Sequence, residues 1–182
     1  MIDPVVTLVA RVGLVLLFTS AALHKLRDRA AFTGVLAAYR VLPAALVPAA
    51  AAAVAAAELL VAAALAAGEG ILGPVGAVVL FAIYSFAIGI NLVRGRRMID
   101  CGCGTLGSRQ PISEWLLARN VLLAGAACVL VPAPVAARQL SWVDGVSVAG
   151  AVAVAALVWT AAHGLAAAAA RVRAASARGA QA

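Results

Sequence analysis

Charge is too scarce in this chain to clothe a water-soluble surface. Of 182 residues only 12% are charged, against about a quarter in an ordinary soluble domain. Acidic residues are fewer still, 7 Asp and Glu beside 14 Lys and Arg. With three cysteines and two histidines, the chain is no disulfide framework and offers few ligands for a structural metal, which takes about four. No basic region precedes the first apolar run, which opens after Asp3 and holds its first basic residue, Arg11, inside it. A cleaved signal peptide wants the opposite order, so the run is expected to be a retained helix.

What is abundant is apolar: 65% hydrophobic residues and a mean hydropathy of +1.07. The expected class is an all-α, multi-pass membrane helical bundle folded as a single transmembrane domain. Stretches of about 20 predominantly apolar residues mark its helices. Five qualify, at residues 5–23, 44–67, 73–93, 112–131 and 143–170. Turn chemistry separates them at 68–70, 101–111 and 131–139. The alanine tracts at 49–57 and 166–170 read as close helix packing, where small side chains let backbones approach. Pro48, inside the second run, is the one hint of a broken helix such as transporters use.

Basic residues are lopsided. Lys25, Arg27, Arg29 and Arg40 follow the first span, Arg94, Arg96, Arg97 and Arg109 the third, and Arg171, Arg173 and Arg178 the fifth. The other side holds Arg138 with Asp3, Glu69 and Asp144. The excess of Lys and Arg in cytoplasmic loops then puts the N-terminus outside the cell membrane, and the C-terminus and the 101–111 loop in the cytoplasm. The net charge of +7 is accounted for by topology and anionic membrane lipid, without nucleic acid.

Into that loop the chain places Cys101 and Cys103, one residue apart and each followed by glycine. A Cys-x-Cys disulfide closes a very small ring, so it is strained and comparatively oxidising, suited to exchange and not to stapling. Nearby Arg94, Arg96, Arg97 and Arg109 favour the reactive thiolate. Half of a metal site, with His24 as a third ligand, and an inert loop are the alternatives. Cys128, within an apolar run, reads as a small buried hydrophobe.

Polar residues inside spans are expensive and mark function or a buried pair. Arg119 and Asn120 lie on the thiol side of the fourth span, and Trp115 is four residues before Arg119. An aromatic plane and a cation on one helix face are suited to an anionic or quinonoid ring. The plainer reading makes Trp115 an interface anchor and pairs Arg119 with Glu58 or Glu114. His24 and Lys25 close the first span on the thiol side, as proton relay and thiolate stabiliser or as snorkelling and helix-end compensation. Tyr84 and Asn91 share the third span and are candidates for the same pocket; Arg11 and His163 are weaker ones.

In order along the chain, "RVGLVLLFTSAALHKLRD", "YRVLP" at 39–43, "AELL" at 57–60, "NLVRGRRMIDCGCG" at 91–104 and "LARN" at 117–120 resemble the MauE branch of the DoxX-like membrane proteins. The resemblance implies a DoxX-like four-helix core, to which the C-terminal span adds a fifth helix. It also implies a role in redox maturation of methylamine dehydrogenase, alongside a thioredoxin-fold partner. Carried over by position, it points to Cys101, Cys103, Arg119, Asn120, His24, Lys25 and Arg11. The family's usual Cys-Gly-Cys-Phe-Gly differs here, where Gly104 is followed by Thr105.

The expected function is thiol–disulfide oxidoreduction between the Cys-Gly-Cys pair, that partner and a membrane quinone. Cys101, Cys103, Arg119, His24 and Lys25 are the catalytic candidates. Trp115, Asn120, Tyr84, Asn91 and Glu58 are the quinone-binding candidates, and a homo-oligomer is compatible. A membrane scaffold or small-molecule transporter with incidental cysteines is the rival reading.

Overall fold

The computed structural model describes residues 2–68, 70–100, 112–131 and 139–179. These residues are built from helices: α1 (Pro4–Arg27), α2 (Arg29–Tyr39), α3 (Val47–Ala67), α4 (Leu72–Val93), α5 (Glu114–Cys128) and α6 (Trp142–Gly179), with a single 3-10 turn at Ala44–Leu46. The chain divides into two compact units, Met1–Leu140, which carries α1 to α5, and Ser141–Ala182, which carries α6. Among the described residues, four stretches are long and apolar enough to cross a membrane: Pro4–Arg27, Ala44–Ala67, Leu72–Val93 and Trp142–Ala162. The chain is an all-α membrane protein, as its composition dictates.

The fourth expected span, 112–131, contains a helix of only 15 residues, Glu114–Cys128. At 1.5 Å per residue it is about 22 Å long, less than the hydrocarbon thickness of about 30 Å. Its first residue, Glu114, is exposed and ion-paired to Arg97 at 2.6 Å. Residues 129 and 130 have already left the helix in a turn. The α5 helix packs principally on α4.

The α2 helix lies between the first and second expected spans, where the sequence reading places no helix. Its origin is Asp28, which serves two helices at once. The Asp28 backbone N–H donates to the His24 carbonyl at the end of α1. Its side chain accepts from Ala31 N–H at 2.9 Å, capping the start of α2. The end of α2 is set by Arg40 in the left-handed conformation, φ 49. Pro43 two residues after Val41 keeps the helix from resuming.

Pro48 does not break a helix. It occupies the first turn of α3, where its missing N–H is one the helix leaves unbonded anyway. The α3 helix then runs uninterrupted to Gly68, whose φ of 81 supplies the left-handed cap. Gly73 lets α4 meet α3: a Cβ there would come within 2.8 Å of the Leu65 backbone nitrogen. The core of this unit joins Leu14 and Phe18 of α1, Ala62 and Leu65 of α3, Phe81 of α4 and Ala127 of α5. Phe18 and Phe81 meet at 5.2 Å between ring centroids. Leu60, Phe86 and Leu122 face outwards, as a lipid-facing surface requires, so packing of small and aromatic groups rather than exclusion of water holds these helices together.

Candidate functional site

Three polar residues from three helices meet in the interior. Lys25 lies in the last turn of α1, Glu58 near the middle of α3 and Tyr84 on α4. The Lys25 ammonium donates to both carboxylate oxygens of Glu58, at 2.7 and 2.9 Å, with side-chain exposures of 3% and 1%. The Tyr84 hydroxyl donates to Glu58 Oε1 at 2.5 Å. Lys25 Nζ also stands 5.2 Å from the centroid of the Phe32 ring and 5.8 Å from that of Tyr84. A charge in so dry a place must be compensated, and here cation and anion compensate one another. Lys25 therefore does not snorkel. Its neighbour His24 is exposed, so the two residues adjacent in sequence serve different surroundings.

Glu58, thus engaged, is not the partner of Arg119, and neither is Glu114. Glu114 holds Arg97, whose guanidinium is raised above its ordinary value chiefly by that hydrogen bond. Arg119 is 8% exposed, and its Nη2 lies 3.4 Å from Asn120 Oδ1. Trp115 is half exposed, on the outer side of α5, while Arg119 and Asn120 are buried. Cys128 is exposed at the end of α5, contrary to its expected burial, because Ala127 takes the packed position beside it.

Asn91 is fully buried in the last turn of α4. It donates to the Ala87 carbonyl at 3.0 Å and accepts from Arg96 at 3.2 Å. Arg96 also reaches the Tyr39 carbonyl and Arg94 the Arg40 carbonyl, each at 3.3 Å. These two arginines, expected to bathe the thiols in positive charge, are thus occupied in satisfying the free carbonyls at the end of α2. No pattern in the sequence announces that role. Tyr84 and Asn91 are seven residues apart and so share one face of α4, about 10 Å apart along its axis.

The thiol loop leaves α4 and returns to α5 through a fixed gateway. Ile112 N–H donates to the Ile99 carbonyl at 3.0 Å. Both isoleucines pack with Tyr39, Ile88 and Leu116 in a second apolar cluster. Cys101, Cys103 and Arg109 lie outside the described residues, as does the side chain of His163. Arg11, at the other end of α1, is partly buried, with a guanidinium nitrogen 2.9 Å from where a Cβ on Gly68 would stand.

The family profile described as methylamine utilisation protein MauE matches residues 3–133. The chain belongs to the MauE family. The methylamine utilization protein MauE of Paracoccus denitrificans is 36% identical over 152 residues, covering 80% of this chain and 78% of that protein. That of Methylorubrum extorquens is 37% identical over 158 residues, covering 81% and 82%. That of Methylophilus methylotrophus is 33% identical over 141 residues, covering 76% and 74%. No solved structure matches. The MauE match takes in α1 to α5 and ends before α6, so the buried triad and the loop gateway both fall within it.

Proposed function

We propose that this MauE protein serves methylamine utilisation as a cell-membrane thiol–disulfide redox protein. In this reading the Cys101–Cys103 pair exchanges electrons with a thioredoxin-fold partner and with a membrane quinone. The observation that supports it most is the placement of a Cys-Gly-Cys pair between Ile99 and Ile112, two residues hydrogen-bonded at the mouth of α4 and α5.

A partner dithiol gives up two electrons and two protons, its own disulfide forms, and the Cys101–Cys103 Sγ–Sγ bond breaks to two thiols. When that bond forms again, the pair releases two electrons and two protons, which a quinone takes up in becoming a quinol. Arg119 favours the attacking thiolate by its charge. Tyr84 and Lys25 both donate to Glu58 Oε1, so the carboxylate, fixed by Tyr84, holds Lys25 in place.

The experiment is to purify the protein with Cys128→Ser, reduce it, and add quinone without oxygen while alkylation counts free thiols. Loss of two thiols per chain, restored by a reduced thioredoxin-fold protein, is expected. Thiols indifferent to both reagents would leave the scaffold or transporter reading.

A further inference from the structure

A cavity of about 280 Å³ opens between the end of α1, α2 and α3. Lys25 and Phe32 line one side, and Ala51, Ala52, Ala55 and Ala56 line the other. We propose that it seats the ring of a neutral, carbonyl-bearing compound of the quinone class, whose carbonyl oxygen accepts a hydrogen bond from Lys25.

Three observations carry this. An ammonium has three donors, and two of those on Lys25 go to Glu58. The third has no acceptor among the described residues, although Lys25 is 4% exposed and lines the cavity. A buried donor left unmade costs about 1–3 kcal/mol, so a ligand that supplies an acceptor is favoured there.

The second is charge. The Glu58 carboxylate already balances Lys25 at 2.7 Å. At Lys25 an anion would surrender its hydration to meet a buried pair of no net charge, whereas a neutral carbonyl gives up much less. Arg29, the other cation of the cavity lining, is exposed and keeps its own hydration.

The third is shape. Four alanines present methyl groups only, a low wall against which a planar ring lies flat, and Phe32 adds an aromatic ring to the lining. Ligand pockets commonly run about 300–1,000 Å³. A cavity just below that range takes one ring, with any tail leaving through the opening. The seat deepens the quinone-linked function and rests on that reading for why a ring is present, while its own chemistry stands on the cavity.

The test uses the full chain in detergent with duroquinone, a single ring whose full substitution prevents addition to thiols. Saturable binding is expected, weakened at least tenfold by Ala52→Phe, which fills the opening, and by Lys25→Met, which removes the donor. Size-exclusion chromatography checks that each variant is folded. If Lys25→Met does not fold, Ala52→Phe decides. Wild-type affinity in folded Ala52→Phe overturns the seat. So does displacement of duroquinone by phosphatidylglycerol at far lower concentration than by phosphatidylcholine, which would mark a phosphate site. If duroquinone oxidises Cys101 and Cys103 without occupying the cavity, the seat is wrong and the redox function stands. If it occupies the cavity and the thiols ignore it, the seat stands and the redox function falls.

Discussion

Lys25 and Glu58, 33 residues apart in the chain, form a two-pronged ion pair that is almost wholly buried between α1 and α3. Such a pair adds little over well-packed apolar residues, yet breaking it from one side costs about 3–5 kcal/mol, because a buried charge is left alone. Lys25→Met is therefore expected to lower the thermal unfolding midpoint in detergent sharply. Lys25→Met combined with Glu58→Met recovers most of the loss. Equal loss in the single and the double variant would show that packing, and not charge, is at stake.

Cys101→Ser and Cys103→Ser are each expected to abolish function, whereas Cys128→Ser is tolerated. Only the loop pair has the spacing for exchange, and Cys128 ends α5 facing outwards. Complementation of a deletion strain for growth on methylamine measures all three. Similar loss from the three changes would contradict this division of roles.

Arg119 is expected to lower the apparent pKa of the loop thiols. It is buried in α5, two turns after the gateway residue Ile112. Titrating alkylation rate against pH in Arg119→Gln should shift the profile upwards, since a nearby cation favours thiolate over thiol. Arg119→Lys keeps the charge and should restore much of the profile, though not the planar, forked hydrogen bonding. An unchanged titration in folded Arg119→Gln would confine Arg119 to a structural role.

Orientation is open to labelling. With Cys128→Ser as background, a membrane-impermeant maleimide is expected to reach Cys101 and Cys103 only after the cells are permeabilised, as the excess of Lys and Arg on that side predicts. Labelling of intact cells would reverse the topology.

Gly73→Ala is expected to destabilise the α3–α4 contact by about 1–3 kcal/mol. The new methyl would lie 2.8 Å from the Leu65 nitrogen and 3.0 Å from the Ala64 carbonyl carbon. Backbone atoms cannot swing aside as a side chain would. An unfolding midpoint equal to the wild type would mean the two helices separate freely.

The long apolar helices were legible because lipid demands one thing of them, continuous hydrophobicity, and hydropathy reads it directly. The α2 helix was not, since its 11 residues fall below any spanning length and its start depends on a single cap, Asp28. Its place at the end of the first span marked Lys25, and polarity inside spans marked Glu58 and Tyr84. Their union did not follow, because periodicity fixes the face of one helix and says nothing of which neighbour it meets. The same gap left Glu58 and Glu114 as alternative partners for Arg119, and it hid the work of Arg94 and Arg96, which bond to backbone carbonyls and so leave no pattern in side-chain types.

The α2 helix is tethered at both ends, by Asp28 to α1 and by Arg94 and Arg96 to the tail of α4. Phe32 and Thr33, which form its side of the cavity, are consequently positioned by residues that are not among its lining. The shape of the cavity is inherited from remote scaffolding. Substitution at Arg96 or Asp28 can tighten or loosen it while every lining residue stays the same.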